Sequence, residues 1–436
     1  MEEKQENNYY KVDDNPSSIS NIIPLNIEMP LNDNGKKEKN NKSLYIKIFI
    51  AIIYFGLIIG IEQAYRENLF NKSIDAQEDI RKDHDKGSAF YEFWNFISYF
   101  GIAGVTFPIF AIIFLFFPLS SSFLTLQVLI YSIYITNIFK IIYRNARPYW
   151  KSDLLDVVCN SGYGNPSGHS VTSTAYYLTL PHIITNSEYF KRKIKGKILR
   201  IIIFSLFMIL GALVIISRVI LAAHSINQVI YGFTLGFGIY FIGIYILSYH
   251  TYQHHEFIKH ITSFLEVVIY MVFHFFILAL LIIIYFSVDD DQQIKDSVEN
   301  NIFNGVRCKI KNEYLMYKND GFFQGLAITS LLGAHLGIIL LVNLLKKNNY
   351  IINGYITEFN QSSIKRWLIR LPILLISGIF IILYFAVPGD SSLPIVFIFK
   401  SALSFFFTTF GIYFLGIFIC IYCNFANENI TKYFKN

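Results

Sequence analysis

The sequence is poor in charge. Asp, Glu, Lys and Arg make up 16% of its 436 residues, where a soluble domain carries about 25%. It has four cysteines, too few for a disulfide framework, so a small stapled fold is excluded. It has no tandem repeat, no dinucleotide fingerprint and no P-loop. The one stretch of closely spaced glycines, "GFTLGFG" (232–238), reads as a helix-packing face. No carboxylate or Cys/His set has metal-ligand spacing, so neither a metal nor a cofactor is expected. A cleavable signal peptide is not expected either. Residues 1–43 are polar and rich in Asn, Lys, Glu and Ser, and such a tail cannot bury a core and reads as disordered.

Apolar residues take the place of charge: 53% of the chain is hydrophobic and 17% aromatic. Runs of roughly 18 or more apolar residues are membrane-span candidates. They fall near 44–61, 97–118, 123–143, 168–186, 199–216, 226–248, 263–286, 322–345, 368–387 and 397–422. They are too continuous for barrel strands, and an open sheet cannot satisfy its backbone in lipid. The expected fold is therefore all-α, a polytopic membrane helix bundle of about ten spans. Its membrane lipid is one partner; nucleic acid is not.

The net charge of +6 is unevenly placed. "GKKEKNNK" abuts the first span. "KRKIKGKILR" (191–200) has six Lys or Arg in ten residues, and the loop 346–370 adds Lys346, Lys347, Lys365, Arg366 and Arg370. The positive-inside tendency puts all three in the cytosol, which ten spans with a cytosolic N-terminus reproduce. Residues 62–96, 144–167, 217–225 and 287–321 then share the lumenal face. Asn71-Lys72-Ser73 on that face is a glycosylation acceptor pattern, while Asn360 and Asn429 would be cytosolic and unused. Cys159 and Cys308 also fall on that face, where an oxidising lumen permits a bridge and sequence leaves the pairing open. Cys420 and Cys423 fit packing within the last span.

Three polar clusters stand where spans meet this face. In "KIIYRNARPYW" (140–150), Lys140 and Arg147 lie seven residues apart, on one helical face. Arg147 offers a planar fork that can grip two phosphate oxygens, whereas Arg144 fits snorkelling to headgroups better. In "GYGNPSGHS" (162–170), Asn165 is the expected N-cap and Pro166 the first helical residue, with Ser167, Gly168 and His169 in the first turn. Unpaired N–H groups there make an anion site, which Gly168 lets an anion approach closely. In "SRVILAAHSINQ" (217–228), Arg218 precedes His224, and Gln228 sits one turn past His224. Three fixed cations, an anion-binding helix start and two histidines suit phosphoryl transfer without a metal.

Lys140-x6-Arg147-Pro148, Pro166-Ser167-Gly168-His169 and Ser217-Arg218-x5-His224 resemble the three-part signature of the type-2 phosphatidate phosphatase and vanadium haloperoxidase superfamily. "RPYW", "C-x5-NPSGH", "SRVILAAHSINQV", "VRC" (306–308) and "FKSALS" (399–404) look like its glucose-6-phosphatase branch, over about residues 90–423. That resemblance implies a nine-span phosphatase core at 90–424, preceded by a disordered cytosolic tail (1–43) and an extra span with a lumenal linker (44–89), and followed by a short tail (425–436). It implies His224 as a nucleophile that forms a phosphohistidine and His169 as the general acid. Lys140, Arg147, Arg218, Ser167 and Gly168 would hold phosphate, and Gln228 would orient His224, a role that a backbone carbonyl could fill instead. The implied activity is hydrolysis of glucose 6-phosphate at the lumenal face of the endoplasmic reticulum, in gluconeogenesis, the substrate supplied by a sugar phosphate transporter. The alternatives are a lipid phosphate phosphatase acting on phosphatidate-like substrates, and a non-enzymatic membrane scaffold that keeps an anion site.

Overall fold

The computed structural model describes residues 34–84, 87–117, 119–152, 154–155, 160–187, 190, 196–247, 263–289, 318–347 and 398–416. Residues 47–436 form one compact unit and residues 1–46 another, of which only the helix that starts at Asn34 is described. The fold is an all-α polytopic membrane bundle: there is no strand among the described residues, and seven helices there are long and apolar enough to cross a membrane. The expected span at 368–387 lies outside the described residues.

Helix α1 runs from Asn34 to Asp83. The sequence suggested a span ending near residue 61 and then a linker; the helix instead continues unbroken. Residues 62–83 hold no Gly or Pro, and the Glu62–Arg66 pair spans one turn with Nη2–Oε2 at 2.5 Å, which supports a helix. At 1.5 Å per residue its residues 47–83 alone extend about 55 Å, well beyond the ~30 Å hydrocarbon core. The run 97–118 is a second correction. It splits into α2 (Ala89–Tyr99), capped by Ser88, and α3 (Ala103–Phe116), with Gly101 in the bend.

Helix α4 (Leu119–Tyr143) leads into a single 3-10 turn at Pro148–Trp150. Helix α5 (Gly168–Asn186) starts later than expected. Ser167, not Asn165, is its N-cap, and its hydroxyl accepts the Ser170 N–H at 3.4 Å. Pro166 therefore precedes the helix rather than opening it. Helix α6 (Lys197–Ile220) and α7 (Ile226–Phe241, continued by a π-turn to Leu247) are joined by a short turn in which Ala222 takes a left-handed φ of 50°. The remaining elements are α8 (Phe264–Ser287), α9 (Lys318–Gly325), α10 (Thr329–Lys347) and α11 (Ser404–Phe410).

Two layers of packing position the site. Helix α5 is the hub of the first, against α4, α6 and α7. Its Ser and Thr hydroxyls are buried and bond back to their own turn: Thr174 to the Ser170 carbonyl and Thr179 to the Ala175 carbonyl, both at 2.7 Å. Glycines of "GFTLGFG" let α7 touch it. A Cβ on Gly232 would stand 2.7 Å from the Ser167 carbonyl, and one on Gly236 would stand 2.5 Å from that of Val171. The second layer packs α4 against α8, α9 and α10, with α11 against α10, around Ile130, Leu281, Phe322, Ile338 and Tyr413.

Candidate active site

All three polar clusters converge at one end of the bundle. Arg147 stands four residues beyond the end of α4, and the following Pro148 favours its extended backbone, with φ −89°. Its Nε donates to the Gly162 carbonyl at 2.8 Å, Nη2 to that of Ser161 at 2.6 Å, and Nη1 to that of Ala223 at 3.0 Å. Nη1 also lies 3.1 Å from His224 Nε2. The guanidinium therefore stitches the 161–164 loop to the turn before His224. It is less a free fork than the sequence suggested: of its five N–H groups, four point at Gly162, Ser161, Ala223 and His224 Nε2, and the second Nη2 N–H is the one left for an anion.

Arg218 is the opposite case. It is 2% exposed. Its Nη1 donates to Ser98 Oγ at 2.5 Å, but Nε and Nη2 are buried without a hydrogen-bond partner. Leaving charged donors unpaired in a buried site costs several kcal/mol; an anion would satisfy them. Lys140 is buried too, within the fields of Arg147, Arg218 and the carboxylate of Asp320.

His224 stands among these cations. Its Nδ1 is 2.8 Å from the Gly164 carbonyl and 3.3 Å from Gln228 Oε1. Both are acceptors, so Nδ1 carries the proton and Nε2 presents its lone pair. The carbonyl is the nearer of the two. Gln228 spends its amide elsewhere: Oε1 accepts the Ser225 N–H, completing the capping box of α7, and Nε2 donates to the Ala146 carbonyl at 2.7 Å. Burial, then the charges of Arg147, Arg218 and Lys140, hold His224 well below the ordinary histidine range, so the imidazole is neutral. His169 lies half-buried in the first turn of α5, its ring against Gly101. A Cβ on Gly101 would come within 2.8 Å of His169 Cδ2 and 2.7 Å of Val214. Ser167 is fully buried, and its hydroxyl serves its own helix through Ser170. Gly168 packs closely on Thr136: a Cβ there would stand 3.3 Å from Thr136 Cγ2.

Several residues here escaped the sequence reading. Asp320 is 4% exposed, accepts from Ser161 Oγ at 3.1 Å, and packs on Gly162, whose φ of 71° keeps that contact free of a side chain. An acid at the start of a membrane helix was the available signal. Ser98 and Gly101 had none. The Cys159 and Cys308 pairing, Asn360 and Asn429 lie outside the described residues. Asn71 is exposed on α1, but the Ser73 hydroxyl of its acceptor pattern is buried and hydrogen-bonded.

Residues 122–253 match the family model of the PAP2 superfamily, a stretch that holds all three clusters. None of the curated proteins matches the chain. Among solved structures the chain is similar to the crystal structure of the first transmembrane PAP2 type phosphatidylglycerolphosphate phosphatase from Bacillus subtilis. The likeness has 23% identity and a TM-score of 0.38, and covers 44% of this chain and 94% of that one.

Proposed function

We propose that the protein is a membrane phosphomonoesterase that works through a phosphohistidine. The observation that carries this reading is Arg218, buried with two unpartnered donors beside Lys140, Arg147 and a neutral His224. The phosphoryl group sits among the three cations and the first N–H groups of α5. His224 Nε2 attacks phosphorus, and the Gly164 carbonyl, backed by Gln228, holds the imidazolium that forms. The P–O bond to the leaving group breaks, and His169 gives that oxygen its proton. Water, deprotonated by His169, then attacks phosphorus and releases phosphate from His224.

The leaving group we propose is a sugar, with glucose 6-phosphate as the substrate. Asp320 and Asn137 support a hydroxyl-rich leaving group: both are buried beside the Lys140 side of the cradle, and Asn137 Oδ1 has no hydrogen-bond partner. The resemblance of "RPYW" and "SRVILAAHSINQV" to the glucose-6-phosphatase branch supports the same choice. The basic loops 191–200 and 346–370 support a lumenal site; the endoplasmic reticulum and a transporter that delivers the sugar phosphate belong to this reading. The test is vanadate-sensitive phosphate release from purified protein, with glucose 6-phosphate compared against phosphatidate. Preference for phosphatidate would replace the sugar with a lipid and keep the chemistry. No release from any ester would leave the anion-binding scaffold.

A further inference from the structure

Helix α1 lies outside the stretch 122–253 that matches the PAP2 superfamily. Its apolar middle turns face outward, with Ile52, Leu57 and Ile61 exposed. Four of its polar residues, Glu62, Arg66, Ser73 and Gln77, follow one another at spacings of four, seven and four. At 100° per residue they fall on a single stripe. Three of them are almost wholly buried: Glu62 at 0%, Ser73 at 0% and Gln77 at 2% exposure.

Each meets a different part of the site. Gln77 Nε2 donates to two backbone carbonyls, Val219 at 2.9 Å and His224 itself at 2.8 Å. Two acceptors require the NH₂ end of the amide there, so the side chain has one workable orientation. Ser73 Oγ accepts the N–H of Ile226 at 3.0 Å, one of the orphan donors at the start of α7. The turn 219–226 is thus pinned from outside on both flanks of His224. Glu62 takes the Asn165 amide at 2.7 Å while Arg66 clamps its carboxylate. Asn165 also donates to Asn145 Oδ1 at 3.0 Å, which joins the loop before His169 to the loop before Arg147. One residue past Gln77, Glu78 accepts from Ser152 Oγ at 2.5 Å, just after the Pro148–Trp150 turn.

We infer that α1 is a positioning element of the catalytic centre: Gln77 and Ser73 set the place of the nucleophile His224, and Glu62 sets the loop that carries the acid His169. The inference rests on the phosphohistidine reading above. A buried carboxylate and a buried amide on a membrane helix are costly unless they serve a fixed geometry. None of the three touches the cradle where the phosphoryl group would sit; they act through the backbone of residues that do.

The two ends of the stripe predict different kinetic signatures. Full-length Gln77→Met, Ser73→Ala and Glu62→Gln are compared with wild type on an alkyl phosphate and on an aryl phosphate with a good leaving group. Rates are normalised to the amount of folded protein recovered. Gln77→Met misplaces the nucleophile, so kcat should fall at least about tenfold on both esters while KM changes little, since misplacement of 1 Å can cost about a hundredfold. Ser73→Ala is the milder variant and should fall in the same way by about threefold, a smaller lapse of the same positioning. In the phosphorylation half-reaction, followed in a single turnover, Glu62→Gln should lose the alkyl ester selectively and spare the aryl ester, which needs less protonation. A purely structural role would lower both esters together in all three variants, or lower only the amount of folded protein. Full normalised kcat in Gln77→Met and Ser73→Ala, or equal loss of both esters in Glu62→Gln, would overturn the inference while wild-type turnover stands. A wild type that forms no phosphoenzyme and releases no phosphate would instead sink the phosphatase reading, and this inference with it.

Discussion

His224 and His274 are both buried histidines of the same helical bundle, and their surroundings are opposites. His274, inside α8, is satisfied on both nitrogens by neutral groups: the Tyr131 hydroxyl at 2.9 Å and the Tyr270 carbonyl one turn back at 2.8 Å. Its ring packs between those two tyrosines. His224 has one nitrogen fixed by a carbonyl and the other turned toward an arginine, with two more cations close by. Around Arg218, buried donors exceed the acceptors that could meet them. A histidine whose hydrogen bonds close among neutral neighbours holds helices together. One set among excess positive charge awaits an anion.

The largest expected effect tests that contrast directly. His224→Ala should abolish both turnover and acid-labile labelling of the protein by radioactive substrate. His274→Leu should keep turnover and lower thermal stability, by about 1 kcal/mol for a buried polar contact between membrane helices. Labelling that survives in His224→Ala would move the nucleophile elsewhere. Loss of turnover in folded His274→Leu would erase the distinction between the two neighbourhoods.

Next in size is Arg147→Lys. Lysine could keep the charge, but not the three carbonyl bonds to Ser161, Gly162 and Ala223. Activity should fall at least about tenfold, since one charge-assisted bond is worth ~1.5–3 kcal/mol. Thermal stability should fall with it, because the same guanidinium joins two loops. Unchanged stability would mean that those carbonyls find other donors, and that Arg147 belongs to the phosphate alone.

The phosphate cradle was readable in the sequence because its residues lie in short runs. Lys140 and Arg147 lie seven residues apart, and Arg218 precedes His224 by six. The spacing suggested one helical face for the first pair, but α4 ends at Tyr143 and Arg147 stands beyond it in extended backbone. What brings those runs together was much less readable. Gly164, which orients His224 through its carbonyl, leaves no trace of that role in its side chain. Asn165 looked like a helix cap because Asn is a good one; tertiary contacts with Glu62 and Asn145 use it instead. Glu62, Ser73 and Gln77 repeat at helical spacing, but the apolar run ahead of them suggested that the helix ended at the membrane surface, so the repeat went unread. The distance between Asp320 and the clusters, more than ninety residues along the chain, hid it in the same way.

A smaller effect concerns pH. In the free protein the neutral form of His224 persists well below the ordinary histidine value, through burial first and then the neighbouring cations. Protonation would remove its lone pair, so the acid limb of kcat/KM assigned to His224 should lie below about pH 6.5, the ordinary value. Replacing one cation, as in Lys140→Met, relieves part of that depression. Its folded-state pKa rises, and the normalised acid limb should move to higher pH. The substrate's own ionisation is the same for both proteins and cancels in the comparison. A limb that stays in place or moves down would show that Lys140 does not act on His224 through its charge.

The smallest expected effect belongs to Arg144, three residues from Arg147 and turned the other way. It adopts a left-handed φ of 52° at the end of α4, and its Nη1 donates to the Asp289 carbonyl past the end of α8 at 2.9 Å. Nothing joins it to Ser161, Gly162, Ala223 or His224. Lysine has the same backbone preference as arginine at that φ, so the substitution adds no strain. Its ammonium can reach the same carbonyl or extend to the headgroups. Arg144→Lys should therefore keep activity within about twofold, as surface-like charge swaps away from special contacts usually do. Thermal stability should also stay close to that of wild type. Measured beside Arg147→Lys on the same ester and vanadate series, it isolates the cradle from charge near the membrane surface. If the two arginine variants lose activity equally, general positive potential at this end of the bundle matters more than the cradle, and the phosphate has been placed in the wrong position.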